Sequence, residues 1–147
     1  MQKTLIIYES KYGTTERTAK YLSMVLGPAK YCKTGEFSDL YKDFDFIVIG
    51  SPIYSGKLDP QIDEFVKKNI DWLKNKHVAL FSVSLSPKDG NENLKNLANT
   101  IGNTVSQKPL GGVLKQDNLD EDDKEALKVF SEKVVSYTAV KKLILMK

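Results

Sequence analysis

Ser10, Tyr12, Gly13, Thr14 and Thr15 crowd the stretch YESKYGTTERTA, where an apolar run gives way to a helical pattern. Hydroxyl donors and a glycine at a strand-to-helix turn suit the holding of an anion. A helix start offers outward-pointing N–H groups and a partial positive charge. Gly13 lets the backbone approach an oxyanion closely. Ser10, Thr14 and Thr15 add donors, and each hydrogen bond to a charged group contributes about 1.5–3 kcal/mol. Several together hold a phosphate without a dedicated arginine. The same residues also suit plain capping, with Thr14 as N-cap, so the turn alone leaves both roles open.

Two further loops carry unusual chemistry. SPIYSGKLD, from Ser51 to Asp59, places Tyr54 among small residues, as stacking on a planar ring requires. SVSLSPKDGN, from Ser82 to Asn91, offers small side chains and backbone groups near Ser84 and Leu85. Taken together, the three loops suit a ligand with a phosphate at one end and a flat heteroaromatic at the other. No GxxxxGK[ST] and no GxGxxG is present, which excludes a nucleotide-triphosphate P-loop and a dinucleotide fingerprint. The third strand ends IGSP, without the carboxylate that a phosphorelay receiver needs there.

The elements that must position these loops alternate. TLIIYES reads as a buried strand, and Ala19, Leu22, Val25 and Leu26 follow at helical spacing. AKYCK is a short strand, and FDFIVIGSP a strand apolar on both faces and stopped by Pro52. Asp59 and Pro60 predict a helix start, and Ile62, Phe65, Val66, Ile70 and Leu73 its apolar stripe. HVALFSVSL is another buried strand. A helix from Asn91 carries Leu94, Leu97, Ala98, Ile101 and Val105, PLGGVL gives a last short strand, and DEDDKEALKVFSEKVVSY a last helix. Strands apolar on both faces need helices on both sides, so the pattern predicts a three-layer α/β sandwich around a parallel sheet of five strands. Residues 1–147 read as a single domain. In such sheets ligands bind beyond the carboxyl ends of the strands, where all three loops fall.

Composition narrows the function. The net charge of +3 comes from scattered lysines, with no basic run to suggest nucleic acid. A lone cysteine, Cys32, and a lone histidine, His77, argue against disulfides, cysteine clusters and multi-histidine metal sites. Cys32 reads as a small buried hydrophobe, His77 as solvated, and Trp72 as a packing residue. No secretory signal or membrane span is visible, and a cytoplasmic location is expected. The final VKKLILMK reads as a helix end, with weak membrane-surface contact as the other role.

SKYGTT is similar to the T/S-x-T-G-x-T phosphate loop of the flavodoxin-like family, departing from it at Tyr12. IGSPIYSG resembles that family's first flavin loop, VSLSPKDG its second, and the length resembles the short-chain flavodoxins. The resemblance implies strand order 2-1-3-4-5, non-covalently bound flavin mononucleotide (FMN) and electron transfer to a redox partner protein or quinone. It places Ser10, Lys11, Tyr12, Gly13, Thr14 and Thr15 around the phosphate. Pro52, Ile53, Tyr54, Ser55 and Gly56 would line one side of the ring, and Ser84 and Leu85 the other. It also implies a reorienting Gly56 peptide facing the reduced ring. Because this chain is basic, Lys57 and Lys88 are expected near the rim, making the reduced state less strongly reducing.

IGSPIYSGKLDPQIDEFVKKN also resembles the menaquinone-dependent protoporphyrinogen dehydrogenase branch, which implies an oxidoreductase acting on a quinone or tetrapyrrole. That branch carries a long insertion where this chain has a short loop. A third reading is a phosphate-binding regulatory module without flavin.

Overall fold

The computed structural model describes residues 3–11, 13–26, 29–84, 87–102, 104–111 and Val129. Strand β1 (Thr4–Tyr8) leads into helix α1 (Thr14–Val25), followed by β2 (Ala29–Lys33) and two short 3₁₀ turns, Thr34–Glu36 and Asp39–Asp43. Next come β3 (Phe46–Tyr54), a two-residue strand β4 (Lys57–Leu58), α2 (Pro60–Lys68) and α3 (Ile70–Leu73). β5 (His77–Ser84), α4 (Pro87–Ile101) and β6 (Thr104–Gly111) complete the described elements. The expected last helix and VKKLILMK lie outside the described residues, apart from Val129, which is helical and exposed.

Five strands run parallel in the order β2-β1-β3-β5-β6, and β4 pairs antiparallel with β3. Without the β4 arm this is the expected order 2-1-3-4-5. The order reverses between β1 and β3, which pair from Thr4 with Phe46 to Tyr8 with Gly50. The central strands β1, β3 and β5 are buried on both faces, as a sheet covered on both sides demands. On one face Ala19 and Leu22 of α1, with Leu26 just past its end, pack on Ile6, Val48 and Phe81. On the other, α2, α3 and α4 bring Ile62, Val66, Leu73, Leu94 and Ile101 onto Leu5, Ile49 and Leu80.

Four local expectations differ. β3 does not stop at Pro52; it runs on to Tyr54. β1 pairs no further than Gly50, so beyond that point β3 has lost its neighbour on that side and a residue without N–H is tolerated. Val25 is exposed, because α1 buries its face through Thr15, Thr18, Ala19 and Leu22. The threonines count as core, which a purely apolar count hides. The helix begun by Pro60 breaks at Asn69, where α3 takes over the stripe. Helix α4 begins at Pro87, and Val105 lies in β6. Pro87 at the first position and Asp89 in the first turn are good helix-start signals.

Away from the carboxyl edge, Trp72 stacks on Phe37 with ring centroids 5.3 Å apart and donates from Nε1 to Asn69 Oδ1 at 2.9 Å. Its packing role stands. His77, half-buried, opens β5 rather than sitting on a solvated turn. Burial pushes the Cys32 thiol up to about 11, with the Glu36 carboxylate adding to the shift. The thiol therefore stays protonated near neutral pH and packs as a small apolar side chain.

Candidate functional site

β1, β3 and β5 are neighbours in the sheet and point the same way, so the three loops following them meet at one edge beside the order reversal. The first loop is held tightly. Gly13, not Thr14, occupies the N-cap position of α1, in a left-handed conformation with φ 93°. Its N–H donates to Ser10 Oγ at 3.0 Å, which folds Ser10 back under the helix start. The first backbone bond of the helix runs from Arg17 N–H to Gly13 O at 3.0 Å, and an α-helix start has no internal acceptors for its earlier amides. Thr14 and Thr15 are buried, and Thr14 O accepts from Thr18 Oγ1 at 2.9 Å. Tyr12 lies outside the described residues.

Beneath this turn the end of β1 is buttressed by two side chains that the sequence does not single out. The Tyr8 hydroxyl donates to Glu16 at 3.2 Å, and burial together with the Glu16 carboxylate holds its pKa well above the usual tyrosine value. The buried Glu9 carboxylate accepts from Thr34 N at 3.2 Å and from Thr34 Oγ1. With the Gln61 amide nitrogen turned toward it, Glu9 also accepts at 3.1 and 3.2 Å. One carboxylate thus joins the ends of β1 and β2 to the first turn of α2.

The second loop is a tight hairpin. Tyr54 pairs with Lys57, and Ser55 and Gly56 between them have φ 52° and 73°, the left-handed pair of a two-residue turn whose twist matches its strands. Pro52 and Ile53 are buried strand residues, Tyr54 is half-buried, and Ser55 and Gly56 are exposed. The base of the hairpin closes on Ser51, whose Oγ accepts from Asp59 N at 3.0 Å and donates to Pro52 O at 2.8 Å. The tip is tied to α4 by Asn93 Nδ2, which donates to Gly56 O at 2.9 Å.

In place of a long third loop, residues 85 and 86 alone join β5 to α4. Ser84 is buried at the strand end, and Leu85 lies outside the described residues.

The first two loops approach each other, with Lys11 Nζ 5.8 Å from the centroid of the Tyr54 ring. Lys57 instead lines a groove of about 350 Å³ between the hairpin and α4, with Asp63, Asn93, Asn96 and Thr100. Lys88 is exposed on the first turn of α4. Arg17 is a further charged residue that sequence reasoning missed. Its Nη2 lies 3.4 Å from Thr14 Oγ1, and Nη1 lies 2.9 Å from where a Cβ on Gly13 would sit. The signal was positional: long side chains on a helix lean toward its N-terminus, so a residue one turn in reaches back over the cap.

A rubredoxin oxygen:oxidoreductase from Desulfovibrio gigas superposes with a TM-score of 0.76 at 17% identity, covering 96% of this chain. This chain spans 37% of that protein's length. Flavodoxin 2 from Bacillus cereus gives a TM-score of 0.69 at 23% identity, covering 92% of this chain and 99% of its own. A flavoprotein from Lactobacillus acidophilus, in complex with FMN, gives 0.57 at 18% identity over 74% of this chain and 93% of its own. No curated protein matches the sequence. The family model for the flavodoxin domain matches residues 5–137, and with that match the chain belongs to the flavodoxin family.

Proposed function

We propose that the chain binds FMN non-covalently and carries electrons between redox partners. The observation that carries this reading is the convergence of the first two loops at the order reversal, with Lys11 reaching over Tyr54. The residues present fit the cofactor. Gly13 starts the helix without a side chain, and the place a Cβ would take is filled by the Arg17 guanidinium, beside Thr14 Oγ1. Tyr54, half-buried under Lys11 Nζ, offers an aromatic face. The family membership and the FMN bound to the Lactobacillus flavoprotein support the same reading.

In this arrangement Ser10, Lys11, Tyr12, Gly13, Thr14 and Thr15 surround the phosphate. Pro52, Ile53, Tyr54, Ser55 and Gly56 line one side of the ring, and Ser84 and Leu85 the other. Pro52 and Ile53 do so from the strand rather than from a loop. Because Ser10 Oγ already accepts from Gly13 N–H, its own proton remains to be donated outward. Bound FMN supplies the electron chemistry, and the protein contributes binding, orientation and electrostatics. No helix among the described residues is long and apolar enough to cross a membrane.

Transfer to a protein or quinone partner takes place at the exposed hairpin side of the ring. The two-residue link between β5 and α4 has no room for the insertion seen in the protoporphyrinogen dehydrogenase branch, which weighs against a tetrapyrrole substrate. Titration of folded apoprotein with FMN, followed by calorimetry and the visible spectrum, should show stoichiometric uptake with a perturbed flavin band. Absence of uptake by protein with native circular dichroism would overturn the reading.

A further inference from the structure

Tyr8 stands among groups that the candidate cofactor site does not use. The residue is 3% exposed, and its hydroxyl donates to the Glu16 carboxylate at 3.2 Å, within reach of direct proton transfer. Burial and that carboxylate keep the phenol protonated near neutral pH, so it has a proton to give. Next to β1 lies β2, the edge strand of the sheet. Ile6 pairs with Tyr31 and Tyr8 with Lys33, which makes Tyr8 and Tyr31 diagonal neighbours on one face. Their ring centroids are 6.1 Å apart, with the planes inclined by 44°. Tyr31 is 39% exposed. Two phenols thus lead from solvent to a buried hydroxyl with a base already in place.

Loss of one electron makes a phenol strongly acidic, so oxidation is easier where a base accepts the proton in the same step. Glu16 offers Tyr8 that base, whereas exposed Tyr31 faces water. We propose that Tyr31 and Tyr8 form a redox site of their own, which takes one-electron oxidation from the surface into the fold and holds it on Tyr8. A radical oxidant in solution removes one electron from Tyr31, whose phenol proton goes to water, leaving a neutral phenoxyl radical. Tyr8 then passes one electron to Tyr31 and its proton to Glu16. Tyr31 regains a proton from water and is restored, while Tyr8 becomes the phenoxyl radical beside a Glu16 carboxylic acid. No flavin takes part, so the inference stands apart from the function proposed above.

The test is oxidation of the full chain by azide radicals from pulse radiolysis, followed by freeze-quench electron paramagnetic resonance in light and heavy water. Wild type, Tyr8→Phe, Tyr31→Phe and Glu16→Gln are compared, with circular dichroism as the folding control. The wild-type tyrosyl signal should carry an exchangeable hydrogen-bonded proton, and dityrosine-linked dimers should be scarce. Tyr8→Phe should lose that signal and leave the radical on Tyr31, where dimers accumulate. Tyr31→Phe should lower the yield of the Tyr8 radical, because the buried ring has lost its link to the oxidant. Glu16→Gln replaces a charged acceptor by a neutral amide and should shift the radical from Tyr8 toward Tyr31 by about 10- to 100-fold. Should Tyr8→Phe not fold, the other two variants still decide, since Tyr31 and Glu16 are both exposed.

The same signal in wild type and Tyr8→Phe overturns the inference, because the radical then rests on another tyrosine. An unchanged yield in Tyr31→Phe overturns the path from the surface. An unchanged signal in Glu16→Gln overturns it as well, since the Tyr8–Glu16 hydrogen bond then only ties β1 to the first turn of α1.

Discussion

Two positive-φ glycines mark the two ends of the proposed cofactor site, and their surroundings differ sharply. Gly13 sits at the start of a twelve-residue helix whose first two residues, Thr14 and Thr15, are buried, with the Arg17 guanidinium where its side chain would be. Gly56 sits at an exposed hairpin tip, and a Cβ there would meet nothing within 4 Å. The anchoring end is thus continuous with the core, through Thr15, Thr18 and Glu9. The ring-facing end hangs on Ser51 at its base and Asn93 at its tip. In the proposed arrangement the fixed end would anchor the cofactor, while the lightly held hairpin would adjust to changes on the ring without disturbing the sheet. The cost of mutating each end should reveal this division.

The largest effect is expected from Gly13→Ala. An L-residue in the left-handed region costs roughly 1–2 kcal/mol of backbone strain. The new Cβ would also lie 2.9 Å from Arg17 Nη1, forcing the guanidinium to move. Thermal unfolding should shift down by several degrees, and FMN affinity should fall by an order of magnitude or more, about 1.4 kcal/mol per tenfold. Gly56→Ala carries the same kind of backbone strain with no steric term. It should therefore lower stability by about 1–2 kcal/mol, without the further loss from the Gly13 clash, and leave FMN affinity within a few-fold of wild type. Equal losses of affinity at Gly13 and Gly56, measured by calorimetry, would break the contrast between the two ends.

How far the sequence discloses this layout depends on which interaction decides each feature. Hydrophobic runs such as FIVIG and HVALF reveal the central strands and their parallel arrangement, because burial on both faces leaves no polar alternation. The helix start at Asp59–Pro60 is equally plain, since both signals are local, and Asp59 Oδ1 indeed accepts from Gln61 N at 2.8 Å. The first loop was legible from residue types as a candidate anion site, with capping as the other role. What stayed hidden depends on tertiary partners. Glu9 looks like a loop acid until Thr34 and Gln61 are folded onto it. Pro52 reads as a strand terminator unless one knows that β1 ends beside Gly50. SPKDGN reads as a loop because Gly90 masks a helix whose remaining signals are sound. Arg17 was visible, but only side-chain direction along α1 tells that it points to the cap.

Asn93→Ala sharpens the contrast from the loosely held side. It removes the exposed hydrogen bond to Gly56 O, and such a bond contributes about 0.5–1.5 kcal/mol. Global stability should change by less than about 1 kcal/mol, since α4 is anchored separately through Leu94, Leu97 and Ile101. The local consequence should be clearer: faster hydrogen exchange at the amides around Ser55 to Lys57, with those of Thr14 to Thr18 unchanged. Faster exchange in both segments would mean that the two ends are mechanically one unit.

The smallest effect concerns the contact that joins the ends. Lys11 belongs to the anchoring loop yet lies over Tyr54, so its charge reaches the proposed ring-facing side. A cation near a flavin stabilises the reduced, more negative form, and exposed charge pairs of this kind contribute about 0.2–1 kcal/mol. With roughly 59 mV per tenfold change for a one-electron couple, Lys11→Gln should move the midpoint potential of FMN-loaded protein about 10–40 mV more negative. Raising the salt should shrink the shift, because the side chain is exposed. Lys57→Gln and Lys88→Gln should shift the midpoint less, as Lys57 lines the groove beside α4 and Lys88 stands on the exposed first turn of that helix. Redox titration ranks the three lysines directly. A larger shift from Lys57 or Lys88 would place the charge that tunes the flavin on the hairpin and α4, and leave Lys11 to the phosphate end alone.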